Sequence, residues 1–388
     1  MTFWLGYVDP AEQATMLLDR VRVDAYARAI AATVRPGDVV VDLGTGSGVL
    51  AMLAARAGAR RVYAVERTGA IALARALIAH NRLADVVVPV RADVEGLDDL
   101  PEAPRVIVAE LLGHFAPAED VHRLYRLARR WARPDAVTIP ASYQLVFAAA
   151  RPAALARELA AVADVAGLDL APLADRLRHR PSYARLAPAE LLGPEVCGAD
   201  HDASAPTPTR FTAAVPIASA GPVTAIAVSF LATLAPGVTL TTAVDAAPTH
   251  WLQTVLPLEP PLPAAPGDVL DVEVIPRAIV AGGTWAWTVR NRGEARAMDA
   301  VDALVGERDD LLAQLGVRRG GPLPVSPAVA RLAVALGAAP PDHLDVEAIT
   351  DRLCAAWPTR YGDREDARQQ ALPAPVAARR WTVHRAPG

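Results

Sequence analysis

The sequence predicts an α/β protein: a doubly wound parallel sheet, then a β-barrel domain carrying an inserted helical arm, then a C-terminal helical unit. Three observations predict it. Up to about residue 140, apolar runs of strand length alternate with segments of helical period. From 141 to about 295, short runs rich in Val, Thr and Ile follow one another, punctuated by Pro and Gly, as in antiparallel barrels. From 296 to 388 the helical period returns. The expected domains are therefore 1–140, 141–295 with an insertion near 163–200, and 296–388, the last a helical and possible winged-helix-like unit.

Residues 11–32 carry an apolar face of Met16, Leu17, Val21, Val23, Tyr26 and Ile30 near the helical period, and Pro36-Gly37 ends it. Val39-Val40-Val41 reads as a buried strand. A glycine-rich turn and a helix to about Ala57 follow it, then a strand over 61–66 and a helix over 71–81. Strands over 86–91 and 105–109 and a helix over 121–132 complete the alternation. Beyond Pro140, strands are expected over 143–149, 208–217, 223–232, 237–244, 252–258, 269–276 and 284–290. The Ala/Leu-rich stretch 151–200 interrupts them as a helical insertion. Four further helices are expected over 298–315, 328–336, 346–357 and 364–372.

Composition narrows the function. The chain has 388 residues, 52% hydrophobic and 21% charged, so it can build packed cores. The net charge is −4, and every basic side chain other than His is Arg. With no basic run, a nucleic-acid partner is not expected, and cationic substrates are mildly favoured. The charge-free stretch 211–244 is broken by Pro216, Gly221, Pro222, Pro236 and Gly237, so it reads as strands and no membrane span is expected. Cys197 and Cys354 form neither a disulfide framework nor a metal site, no signal peptide is visible, and a cytoplasmic location is expected.

Two constellations carry chemistry. In the first, Asp42, Gly44, Gly46 and Gly48 form a turn between a strand and a helix. Glycines let the backbone approach a ligand where any Cβ would clash, and the helix N-terminus favours it electrostatically. Glu66 closes the next strand, where a carboxylate suits ribose hydroxyls. The spacing is G-x-G-x-G, without the dinucleotide pattern, which favours S-adenosylmethionine as the cofactor. Asp93 and Glu95 are candidates for the adenine edge, or else loop acids. In the second, Glu110 and Glu119 lie nine positions apart after the strand ending at Ala109. Two carboxylates at a strand's carboxyl end suit one planar cation, and guanidinium matches carboxylate oxygens two at a time.

These residues resemble the protein arginine methyltransferase family. Asp42-Leu-Gly-Thr-Gly-Ser-Gly-Val-Leu50 is similar to its first motif, and Val62–Glu66 to the acidic strand after it. Ala109-Glu-Leu-Leu-Gly113 through Glu119 resembles its double-glutamate loop, and Thr249-His250-Trp251 its threonine–histidine–tryptophan loop. Met16-Leu-Leu-Asp-Arg-Val-Arg22 and Tyr26 resemble the helix that covers the cofactor, and Phe3, Trp4 and Tyr7 its N-terminal aromatics. The likeness runs from about 3 to 292. It implies a Rossmann-like S-adenosylmethionine-dependent methyltransferase domain, a homodimer assembled through the inserted arm, and methyl transfer to a guanidino nitrogen of arginine. By the same resemblance Glu110, Glu119 and His250 are catalytic. Tyr7, Met16 and Trp251 bind substrate, and Arg22 holds the cofactor's carboxylate.

Some positions depart from the family. Ala109 stands for serine, Leu111 for tryptophan, Phe3 for tyrosine, and Val121 for a second pocket methionine. They bear on substrate and on the number of methyl groups added, which the sequence does not fix. Arginine in a protein or peptide and free L-arginine are both compatible substrates. The alternatives are a small-molecule N- or O-methyltransferase and a non-catalytic module that binds S-adenosylmethionine.

Overall fold

The computed structural model describes residues 9–277 and 284–300. The N-terminal aromatics Phe3, Trp4 and Tyr7 lie outside the described residues, as does the expected helical unit beyond residue 300. Described residues 9–275 and 287–298 belong to one compact unit, which contains every site discussed below.

The N-terminal helical pattern folds as two helices, α1 (Pro10–Leu18) and α2 (Arg20–Thr33), where a single helix was expected. Asp19 makes the break. Its side chain accepts the Arg22 amide at 3.0 Å and so caps α2. Asp9 caps α1 in the same way, with Pro10 in the first turn. Helix α2 buries Arg22, Ala25, Tyr26, Ala29 and Ile30, a stripe at i, i+3, i+4, i+7 and i+8.

Five parallel strands follow in spatial order β3-β2-β1-β4-β5. They are β1 (Val39–Leu43), β2 (Arg61–Glu66), β3 (Val87–Arg91), β4 (Val106–Ala109) and β5 (Val137–Ile139). Helices α3 (Val49–Arg56), α4 (Ile71–His80) and α5 (Val121–Ala128) connect them. Strands β1 and β4 are buried along their whole length, which explains their unbroken apolar runs. The strand order reverses between β1 and β4, whose register sets Leu43 opposite Ala109. A crevice at such a reversal is where open α/β sheets bind ligands. Buried Arg105 anchors this sheet to the end of α2, donating to Asp38 at 2.7 Å and to the Thr33 carbonyl at 2.6 Å.

Apart from a short hairpin in the insertion, the remaining strands form two antiparallel sheets. The larger is built on β6 (Ser142–Ala150), β12 (Gly221–Ala235) and β14 (Gln253–Ala264), edged by β9 (Ser182–Ala184) and β10 (Val196–Asp202), with β13 (Val238–Thr241) pairing β12. The smaller runs in the order β11 (Phe211–Pro216), β15 (Val269–Arg277), β16 (Thr284–Asn291) and β17 (Glu294–Asp299). Trp287 anchors it, fully buried with its indole N–H on the Pro257 carbonyl at 2.8 Å. Met298, expected in a helix, lies in β17.

The insertion is two helices, α6 (Ala153–Ala163) and α7 (Ala171–Arg178), joined by a short hairpin of β7 (Asp164–Val165) and β8 (Leu168–Asp169). Ala166 and Gly167 both take positive φ, as a two-residue hairpin turn demands. The helices fall within the helical stretch expected over 151–200 and end well before 200. Residues 182–184 and 196–202 rejoin the larger sheet. Short edge strands with polar residues gave no apolar alternation to read.

Candidate active site

The glycine turn leaves β1 at Leu43 and the carboxylate loop leaves β4 at Ala109, two neighbouring strands at one level of the sheet. Gly44, Gly46 and Gly48 have φ of +67°, +52° and +82°, a region costly to any residue with a Cβ. A Cβ on Gly46 would also stand 3.0 Å from the Gln13 side chain, so helix α1 lies directly over the turn.

Two acids flank the turn. Asp42 is buried, and its Oδ2 accepts the Thr45 hydroxyl at 2.5 Å and the Ala51 amide at 3.0 Å. Its Oδ1 is buried with no hydrogen-bond partner. Burial pushes its carboxyl up to about 7 against those two hydrogen bonds. Glu66 accepts the Gly46 amide at 3.1 Å and the Thr68 amide at 2.8 Å, which holds it against the turn at the end of β2. The uncapped N-terminus of α3 faces the same loop, since Gly48 has no side chain to cap it. Left-handed glycines, an orphaned carboxylate oxygen and a second acid beside them suit a nucleoside ligand with hydroxyl donors.

Asp93 and Glu95 are engaged structurally. Asp93 caps a 3-10 turn over Val94–Gly96 and lies 3.6 Å from the Arg67 guanidinium. Glu95 forms an ion pair with Arg123, which also contacts Asp120 at 2.9 Å.

Glu110 accepts a buried guanidinium from the chain itself. Arg22 Nη1 pairs with Glu110 Oε2, the two side chains being 6% and 12% exposed. The Leu112 amide adds a contact to Oε1 at 3.3 Å. Arg22 Nε is buried and has no hydrogen-bond partner. The family resemblance implied that Arg22 holds the cofactor's carboxylate; in the structure its guanidinium pairs with the first glutamate. The loop then turns back on itself, with Gly113 donating to the Ala116 carbonyl at 3.2 Å. A Cβ on Gly113 would lie 2.9 Å from Ala118 Cβ and 3.4 Å from Glu119 Cγ, so the absence of a side chain there lets Glu119 fold over the loop. Glu119 is half-buried, in a 3-10 turn over Pro117–Glu119. Ala116 at φ +28° marks strain in this loop.

His250 reaches the junction between the two N-terminal helices. Its Nδ1 lies 2.8 Å from Asp19 Oδ2, and its amide donates to the same oxygen at 2.9 Å. Burial would raise the Asp19 carboxyl, but hydrogen bonds from His250 and from the Arg22 amide outweigh it and hold the group below its ordinary value. Trp251 is 3% exposed and packs edge-on to Phe230 at 5.3 Å, with the His250 ring 4.3 Å away. Met16 is half-buried on α1.

Sequence reasoning missed Asp19 and His114. Asp19 was hidden in an apparently continuous apolar pattern, although an Asp at the start of a helical stripe is a capping signal. His114 carries no motif signal.

Comparison with known proteins bears first on the parallel sheet. Residues 25–139 match the family model described as ribosomal protein L11 methyltransferase (PrmA), which covers the parallel sheet. The chain is also similar to protein arginine N-methyltransferases. Identity is 42% over 142 residues with PRMT10 of Oryza sativa subsp. japonica (36% of this chain, 37% of the relative). It is 44% over 131 residues with PRMT10 of Arabidopsis thaliana (33% and 34%). It is 34% over 137 residues with the histone-arginine methyltransferase CARMER of Anopheles gambiae (35% and 22%). The chain thus spans about a third of the length of the first of these relatives. Two solved structures share the fold more widely. The Trypanosoma brucei PRMT1 enzyme–prozyme heterotetrameric complex with AdoHcy superposes with a TM-score of 0.68 at 24% identity, covering 76% of this chain and 98% of that one. Arabidopsis thaliana protein arginine methyltransferase 10, in an open conformation, gives 0.65 at 24%, covering 76% and 99%. These likenesses bear out the family resemblance read from the motifs, and the fold of a parallel sheet followed by an antiparallel domain.

Proposed function

We propose that this protein transfers a methyl group from S-adenosylmethionine to a guanidino nitrogen of arginine. One observation carries the reading: Glu110 leaves β4 level with the glycine turn that leaves β1, and its carboxylate already holds a guanidinium. Residues that grip one guanidinium at this place suit another.

In this reading Gly44, Gly46 and Gly48 with Asp42 and Glu66 hold the cofactor. When bound, S-adenosylmethionine supplies an electrophilic sulfonium methyl. Arg22, which pairs with Glu110, would hold the cofactor's carboxylate. Glu110 and Glu119 orient the substrate guanidinium and draw its positive charge away from the attacking nitrogen. Guanidinium cannot readily be deprotonated beforehand, so orientation and preorganised charge must do most of the work. Holding the reacting atoms in contact can lower the barrier by about 7–11 kcal/mol. His250, fixed by Asp19, positions α1 and α2 over the site, and Met16 and Trp251 border it.

The substrate is arginine in a protein or peptide, or free L-arginine. The helical insertion, with Val165 and Leu168 exposed at its tip, supports a homodimer through that arm. Two cysteines without a pairing framework favour the cytoplasm. Among the described residues no helix is long and apolar enough to cross a membrane.

The test is methyl transfer from labelled cofactor to free arginine and to an Arg-rich protein, side by side. Transfer to either supports the reading and names the substrate class, whereas transfer to neither rejects it. The pairing of Arg22 with Glu110 favours one other reading, a small-molecule N- or O-methyltransferase acting on a neutral nucleophile, because it neutralises one of the two acids. Near-normal activity of Glu119→Gln would select that alternative.

A further inference from the structure

We propose that His114 is a positioning residue, the clamp that holds the loop bearing Glu110 and Glu119 against the loop bearing His250. It stands inside the carboxylate loop and contacts two other elements at once. Its Nδ1 meets the main-chain carbonyl of Trp251, the residue after His250. Its own carbonyl accepts the Thr254 hydroxyl at 3.0 Å. Its ring stacks on Tyr183 of β9, with centroids 4.0 Å apart and planes 20° from parallel.

A carbonyl oxygen only accepts, so Nδ1 carries the proton and the tautomer is fixed. Burial lowers the histidine's affinity for a second proton, which keeps the ring neutral at physiological pH. The backbone on both sides is under strain. Ala116 in the first loop and Leu252 in the second take positive φ, +28° and +57°, without being glycine. Such conformations persist only where neighbouring contacts over-determine them. The hydrogen bond between His114 and Trp251 spans the two strained segments, beside that from Thr254. Beyond it, His250 passes the constraint to Asp19 and so to the helix carrying Arg22. Glu110, Glu119, His250 and Arg22 thus share one frame, of which His114 is the cross-member.

This inference rests on the methyl-transfer reading for its kinetic test, and it also has a test that does not. Three variants separate the contacts. His114→Asn keeps a donor near Nδ1, His114→Phe keeps the stacked ring, and His114→Ala removes both. In the wild-type protein, transfer is measured first, and its absence rejects the functional reading alone. Misplacing reacting groups by about 1 Å can cost about 100-fold, so His114→Ala should lose roughly 10- to 100-fold in kcat/KM for the guanidine, with His114→Asn recovering more than His114→Phe. Binding of S-adenosylhomocysteine, measured by calorimetry, should change by less than about twofold, because the glycine turn is not part of the clamp. Independently of activity, amide hydrogen exchange in 110–119 and 249–254 should accelerate together in His114→Ala and recover in His114→Asn. Unchanged exchange in the second loop overturns the proposal, as does wild-type kcat/KM in an active His114→Ala protein. Should His114→Ala fail to fold, the comparison of His114→Asn with His114→Phe decides, and equal behaviour of the two overturns it.

Discussion

Asp42 has one carboxylate oxygen with two donors and another with none. That imbalance makes it a reporter of the site. Its carboxyl titrates at about 7 in the folded chain, against an ordinary 3.8, because burial disfavours the charge. A group raised in the folded state contributes stability at low pH that is lost as pH rises through the folded value. The cofactor-free protein should therefore lose stability between about pH 4 and pH 7 on account of Asp42. Asp42→Asn keeps an acceptor for Thr45 and Ala51 and has no charge to bury. Thermal melts should show it gaining on the wild type as pH rises, by roughly 1–3 kcal/mol above neutrality, while its affinity for the cofactor falls. Removing the charge of Glu110 should act in the opposite direction. Glu110→Gln would leave the buried Arg22 without a charge partner, a change that typically costs about 3–5 kcal/mol. Chemical denaturation should find Glu110→Gln much less stable than Glu119→Gln, whose carboxylate is only half-buried.

At the scale of elements, the break between α1 and α2 matters most. Asp19 caps α2 and takes both donors of His250, so one carboxylate joins the N-terminal helices to the loop before β14. Asp19→Ala removes the cap and leaves two donors unpaired, and should cost about 2–3 kcal/mol in the melting of the whole unit. Because its carboxyl sits below the ordinary value, the stability it contributes is present above that value and is lost as pH falls toward the folded one. Most elements were legible in the sequence, because buried strands such as β1 and β4 read as unbroken apolar runs and α2 as a stripe. Others were not. Strand β5 is three residues long, and β10 carries Gly198, Asp200 and Asp202 with little alternation. The site was legible in its residue types, since glycines and paired acids have distinctive chemistry. Its connections were not, because His114 reaches Trp251, and Asp19 reaches His250 and Arg22, through backbone groups that leave no trace in residue identity.

At the scale of the molecule, the insertion stands out among the described residues for how little of it is buried. Helix α6 buries none of its residues, and Val165, Leu168 and Leu173 are 47%, 65% and 48% exposed. Isolated surface apolars are ordinary, but three on one hairpin and its following helix fit the proposed contact with a second copy. If a second copy covers them, Val165→Glu combined with Leu168→Glu should weaken self-association by about tenfold or more without lowering the melting temperature, as read by sedimentation.

The register of β1 with β4 has a last consequence. Two adjacent parallel strands lie about 4.8 Å apart, and main-chain hydrogen bonds fix that spacing whatever side chains they carry. The glycine turn and the first acid are therefore spaced by peptide geometry. The chain can place Ala109 and Leu111 where the family pattern behind the resemblance has serine and tryptophan, reshaping the walls, while the separation across which the proposed transfer would run stays the same.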